Sequence, residues 1–395
     1  NAQHIWWLVN ATWLPFAFLY FLRLHKNPGL TDALKLGFIF FLMLSGGYPG
    51  LFISTGYLFL LTFIVLIITY IRGKNYAGLR KFVLYLAIAT AVFFMTSLVV
   101  LVSSFDFSGH INRGTALPYD KGGALFGALS PKALLSLLFS YAASINDIEF
   151  WGSDFSMVNT CFGFLSLMIL MFFLVSGKAP LRSYYFSAIA ILFLMIAMPE
   201  VFPFRKWLYM YIPFMNLFRF SSLFRLFAIF FFILAAGFSL EKLFYKMVSG
   251  KRFIQYSSLV GISTAAFLVV MFFNVERWMF RSLLTDGFRY FDTIAGLNEK
   301  VFFQGVIFLG LLCGFFIFLW RRAEWGSWIL ATVILIEMIV SVQLNITATV
   351  VDPVSPKPIQ KQLRKLPADF PAPSLIHAMS QTNDTTMGKS MPYLW

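Results

Sequence analysis

The feature that most restricts this chain is a series of apolar runs, each near the length of a bilayer's hydrocarbon core. That core is about 30 Å thick and takes about 20 apolar residues to cross as a helix. The runs cover residues 5–22, 34–45, 51–71, 82–104, 157–176, 184–198, 226–240, 253–273, 301–320 and 325–344. By length they predict an all-α polytopic membrane protein of about ten transmembrane helices. Composition agrees, since 12% of the residues are charged where a soluble domain has about 25%.

Alternate runs end in compact basic segments: Arg23, His25 and Lys26; Arg72, Lys74, Arg80 and Lys81; Lys178 and Arg182; Lys242, Lys246, Lys251 and Arg252; Arg321 and Arg322. A single orientation, with residue 1 outside, puts all of them in the cytoplasm, as the positive-inside rule requires. The inserts 105–156, 199–222 and 274–300 then fall on the extracytoplasmic side. The net charge of +14 reflects those loops and the anionic leaflet, so nucleic acid is not an expected partner. Cys161 and Cys313 lie inside apolar runs and read as small hydrophobes. A transmembrane domain over 1–345 is expected, followed by an extracytoplasmic tail over 346–395 that carries Pro353, Pro356, Pro358, Pro367, Pro371 and Pro373. The chain opens at Asn1 without a signal-peptide pattern, and it is expected to be a piece of a longer polypeptide.

Within this frame the stretch 199–243 draws attention. It interleaves Arg205, Lys206, Arg219 and Arg225 with Trp207, Tyr209, Tyr211 and several Phe residues before entering an apolar run. Topology does not call for cations on the outer side. Arg219 and Arg225, beside a helix N-terminus, could hold a phosphate or pyrophosphate; the alternative is that they snorkel or pair with carboxylates. Gly46-Gly47-Tyr48-Pro49-Gly50 interrupts two short runs and reads either as a cavity wall or as a tight turn. The first insert adds His110, Arg113, Asp120 and Lys121. Its segment 130–138, like 280–290 in the third insert, predicts an interfacial or re-entrant helix. The inserts are expected to meet and roof a cavity open to lipid.

Glu337 is the one carboxylate well inside an apolar run. It is a functional candidate by default, or a neutral acid bonded to a neighbour such as Gln304. His4, His25, His110 and His377 show no metal-ligand spacing, and neither a phosphate-binding Gly loop nor a nucleophile elbow is present. No cofactor is evident and no metal site is expected, although a divalent cation is compatible with phosphate handling.

The segment Asn216-Leu217-Phe218-Arg219-Phe220-Ser221-Ser222-Leu223-Phe224-Arg225, with its following run closing in Ala235-Ala236-Gly237 and Glu241-Lys242, resembles the hallmark of the bacterial YfhO family. Leu44-Ser45-Gly46-Gly47-Tyr48-Pro49 is similar to that family's Gly-His-Pro turn, with Tyr48 in place of His, and Trp13-Leu14-Pro15 is similar to its upstream Trp-x-Pro helix. The resemblance covers 13–345. It implies a GT-C-type glycosyltransferase of the bacterial inner membrane that moves a sugar from a polyprenyl-phosphate donor to a cell-envelope acceptor outside. It also implies Arg219, Arg225, Arg113 and Lys121 as donor-phosphate contacts, with membrane lipid and the lipid-linked sugar as partners. The family's catalytic carboxylate belongs to a first outer loop that this sequence is expected to lack; Asp120 is the nearest substitute. Two other classes stay open. A transporter would explain Glu337 and the Gly46–Gly50 break. A non-catalytic subunit with membrane-protein partners would explain the 19% aromatic content.

Overall fold

The computed structural model describes residues 5–46, 48–108, 116–120, 122–145, 147–153, 157–244, 250–275, 279–286, 295–321 and 326–345. Within them the chain is all-α. Every apolar run is helical over most of its length: α1 (Ile5–Lys26), α2 (Leu30–Ser45), α3 (Pro49–Arg72), α4 (Tyr76–Ser108), a single turn α5 (Ile148–Trp151), α6 (Phe164–Val175), α7 (Leu181–Ala197), a short α8 (Phe204–Tyr211), α9 (Phe224–Phe244), α10 (Gly250–Phe272), a short α11 (Met279–Asp286), α12 (Leu297–Arg321) and α13 (Gly326–Leu344). Among the described residues four stretches are long and apolar enough to cross a membrane: Pro49–Arg72, Tyr76–Ser104, Ser221–Glu241 and Leu297–Gly314. The protein is therefore a membrane-type helical bundle.

Close approach between helices rests on small residues, as expected where lipid removes the hydrophobic drive for association. On α7, Ser183 and Ser187 face Ala235 and Ser239 of α9. The Ser183 hydroxyl donates to the Ala235 carbonyl at 2.9 Å, and Ser239 Oγ donates to Ser183 Oγ at 3.1 Å. Gly37 brings α2 onto α4 so tightly that an added Cβ would stand 2.4 Å from the Ala89 carbonyl oxygen. Phe18 and Phe21 of α1, Phe59 of α3 and Phe231 of α9 fill the shared core with tilted and edge-to-face rings.

Two expectations are corrected. The run 157–176 does not form a helix throughout. It becomes helical only at Phe164, after Gly163 at φ +108, and the resulting 12-residue α6 is about 18 Å long at 1.5 Å per residue, well short of a bilayer core. Residues before the break are used for polar packing: the Ser136 hydroxyl donates to the Val158 carbonyl at 3.0 Å and lies 2.8 Å from Thr160 Oγ1. The segment 130–138 is also not an α-helix. It forms a 3-10 segment, Pro131–Leu137, followed by another at Ser140–Ser144, with Ala133, Ser136, Ser140, Tyr141 and Ala142 buried. In the other segment expected at the interface, 280–290, α11 ends at Asp286 and the remainder lies outside the described residues.

Candidate functional site

The stretch that follows α7 folds back on the bundle end. Pro203 precedes α8, and a loop with Phe214 and Phe220 in the left-handed region leads through the 3-10 turn Ser221–Leu223 into α9. The first insert runs alongside it. Leu117 N–H donates to the Asn216 carbonyl at 3.0 Å, Phe220 N–H to the Phe126 carbonyl at 2.9 Å, and Ser222 N–H to the Gly127 carbonyl at 3.2 Å. The Tyr209 hydroxyl reaches the Leu117 carbonyl at 2.6 Å. From α3, the Tyr57 hydroxyl donates to the Pro213 carbonyl at 3.0 Å. The third insert meets the first through its ends: Val275 and Met279 pack on Tyr141, and Lys300 Nζ donates to Ser144 Oγ at 2.8 Å.

These contacts leave a small, partly open pocket between the start of α3 and the 205–227 stretch. Its walls include Tyr48, Gly50, Arg205, Phe218, Arg219 and Phe220, and no carboxylate is among its lining residues. Gly50 is required here, since a Cβ would meet the Tyr48 ring at 2.6 Å and the Phe218 ring at 2.8 Å. Tyr48 stands edge-on to Phe218 and Phe220, with centroids 6.0 and 6.2 Å away.

Arg205 is the buried residue of α8, 1% exposed. Its Nη2 donates to the carbonyls of Met215 (3.0 Å) and Phe218 (2.9 Å), and its Nε donates to Ser221 Oγ at 3.3 Å. Nη1 is buried without a partner. Burial lowers the pKa of the guanidinium, opposed by the nearby Tyr119, Tyr48 and Tyr209 hydroxyls; an arginine so placed still carries its charge at neutral pH. Tyr119, in turn, has its pKa raised by burial, with Arg205 pulling the other way.

Of the residues singled out in the sequence, Tyr48 and Arg219 line this pocket together, and Arg219 lies over the Phe126 ring at 5.9 Å. Gly46 caps α2, its N–H bonded to the Leu42 carbonyl, and Pro49 opens α3, so the glycine-rich segment is a tight helix–helix turn as well as one wall. Arg225 is elsewhere: 6% exposed, it donates from Nε to the Asn159 carbonyl at 2.9 Å and from Nη1 to the Ser222 carbonyl at 3.1 Å. Asp120 is exposed and caps its own turn, accepting the Gly123 N–H at 2.6 Å. Gly47, His110, Arg113 and Lys121 lie outside the described residues. Glu337 is buried on α13 and accepts the backbone N–H groups of Phe164 and Leu165. Gln304 instead accepts from the Tyr141 N–H and donates to Ser140 Oγ. Among the described residues no cluster of three or more His, Cys, Asp or Glu side chains comes together as a metal site.

Arg205 stood out in the sequence as one of four cations in its stretch, but not as a pocket residue. Arg205 and Lys206 are adjacent, and neighbours on a helix point in different directions. Which of them turns inward depends on the fold of 212–223 around it. Comparison of the chain with protein-family models, with curated proteins and with solved structures returned no match.

Proposed function

We propose that this chain is a GT-C-type membrane glycosyltransferase of the bacterial cytoplasmic membrane, built on about ten spans, with the pocket end facing away from the cytoplasm. One observation carries the reading: Tyr48 and Arg219, from two of the segments that carry the family resemblance, meet in a single pocket. In such a transfer an acceptor hydroxyl oxygen bonds to the sugar's anomeric carbon as the bond from that carbon to the lipid phosphate breaks. The hydroxyl proton passes to a base, and the lipid phosphate leaves with its charge stabilised by cations. Arg219 would stand toward that leaving phosphate. The pocket lining holds no carboxylate, so the base is not one of these residues.

That same absence favours one second reading, a non-catalytic subunit that binds lipid phosphate within a larger membrane assembly. The test is sugar transfer from a polyprenyl-phosphate sugar by the intact, purified protein. Transfer establishes the enzyme; binding of the donor without transfer, in protein shown to be folded, leaves the subunit.

A further inference from the structure

The pocket contains a buried charge that no carboxylate among the described residues balances. Among the described residues Arg205 makes hydrogen bonds to two backbone carbonyls and one hydroxyl, and no carboxylate pairs with it. A guanidinium taken out of water without a counter-ion is costly, and an unused N–H donor adds to that cost. A group of this kind at a pocket wall asks for an anion. Arg219, a second cation, lines the same pocket from the other side of Phe218 in the chain.

We propose that Arg205 is the inner anchor of a phosphate-binding site, with Arg219 as its outer partner, the ligand being a polyprenyl phosphate or a smaller phosphate compound. The proposal rests on the reading of this pocket as the donor site, and it moves the anchoring role from Arg225 to Arg205. The carbonyls of Met215 and Phe218 hold one edge of the guanidinium in place. That leaves the two N–H groups of Nη1 to donate to phosphate oxygen. The Tyr48 and Phe220 rings at the rim suit a ligand whose remainder is apolar.

Thermal stability of the intact protein in detergent tests this with undecaprenyl phosphate, the parent alcohol undecaprenol, and inorganic phosphate. Undecaprenyl phosphate should raise Tm in a concentration-dependent way, and the alcohol should not. Stabilisation by the lipid phosphate alone identifies a lipid headgroup; an equal effect of inorganic phosphate identifies a free phosphate. Equal stabilisation by the alcohol, or none by either phosphate, overturns the site. Arg205→Lys should bind about tenfold more weakly, and unchanged affinity in the folded variant removes Arg205 from the site. Because Arg205 also ties down the 215–218 loop, a second probe is needed that keeps it. Ser54, which lines the pocket, is replaced by Cys in a background with Cys161 and Cys313 changed to Ser. Undecaprenyl phosphate should slow modification of that thiol, and an unchanged rate counts against the site. Binding without sugar transfer would sink the enzyme reading while leaving this site intact.

Discussion

The carboxylate of Glu337, halfway along α13, accepts the backbone N–H of Leu165 at 3.0 Å from 172 residues away in the chain. A second bond from Phe164 N–H completes a cap on α6. The first N–H groups of any helix lack partners within it, and a carboxylate at that end is favoured by the helix dipole as well. An acid inside an apolar run thus has a structural use that involves neither a proton path nor transport. Glu337→Gln can offer only one acceptor oxygen to two donors, so one buried N–H loses its partner, at about 1–3 kcal/mol. Thermal unfolding in detergent should show a lower Tm for Glu337→Gln and a lower one still for Glu337→Ala. An unchanged Tm in both would show that the cap contributes nothing.

Gly50 and Gly56 provide a contrast within α3. A Cβ on Gly50 would press into the Tyr48 and Phe218 rings, whereas nothing lies within 4 Å of a Cβ on Gly56. Gly50→Ala should cost about 1–3 kcal/mol by overpacking and narrow the pocket. Gly56→Ala should be neutral or slightly stabilising, since alanine is the better helix former. Equal melting temperatures for the two variants would mean that the turn yields without cost.

Arg219 and Arg225 should part company on mutation. Arg225 is buried and ties Asn159 to Ser222, so Arg225→Ala removes two charge-assisted bonds worth about 1.5–3 kcal/mol each. Its expected effect is loss of folded protein. Arg219 lines the pocket and is only half-buried, so Arg219→Gln should fold normally and lose phosphate binding. Yield of monodisperse protein in size-exclusion chromatography, measured beside binding, separates the two effects. A well-folded Arg225→Ala that fails to bind would restore Arg225 to the site.

What could be read from the sequence and what could not divides along physical lines. Apolar runs announce helices because a spanning segment must satisfy all its backbone groups internally, and the structure has helices in all of those runs. Gly46–Gly50 announced a turn because Pro at a helix start and Gly at a helix end are local signals. The shortening of α6 had no local signal: it depends on Gly163 being held at φ +108 and on Glu337 arriving from far along the chain. Arg205 was visible as a cation but not as the buried one, because only the fold of the loop from Met215 to Ser221 around its guanidinium turns it inward.

Orientation in the membrane is the broadest claim and the simplest to test. The turn at Gly73 and Lys74, next to Arg72, belongs to the same end as His25, whose carbonyl accepts the Tyr70 hydroxyl at 2.7 Å. Tyr48 belongs to the opposite end, where Asn10 Nδ2 donates to its carbonyl at 3.1 Å. The basic residues Arg23, Lys26, Arg72 and Lys74 therefore share an end away from the pocket, and the positive-inside rule predicts that this end faces the cytoplasm. Tyr211, 72% exposed at the pocket end, should then face outward, as should Ser374 in the tail. In a background with Cys161 and Cys313 changed to Ser, Tyr211→Cys and Ser374→Cys should react with an impermeant maleimide in intact spheroplasts. Lys74→Cys should react only after lysis. The reverse pattern would turn the protein over in the membrane and place the pocket in the cytoplasm. Labelling of Ser374→Cys alone on the opposite side from Tyr211→Cys would instead mean that the number of spans between them is odd rather than even.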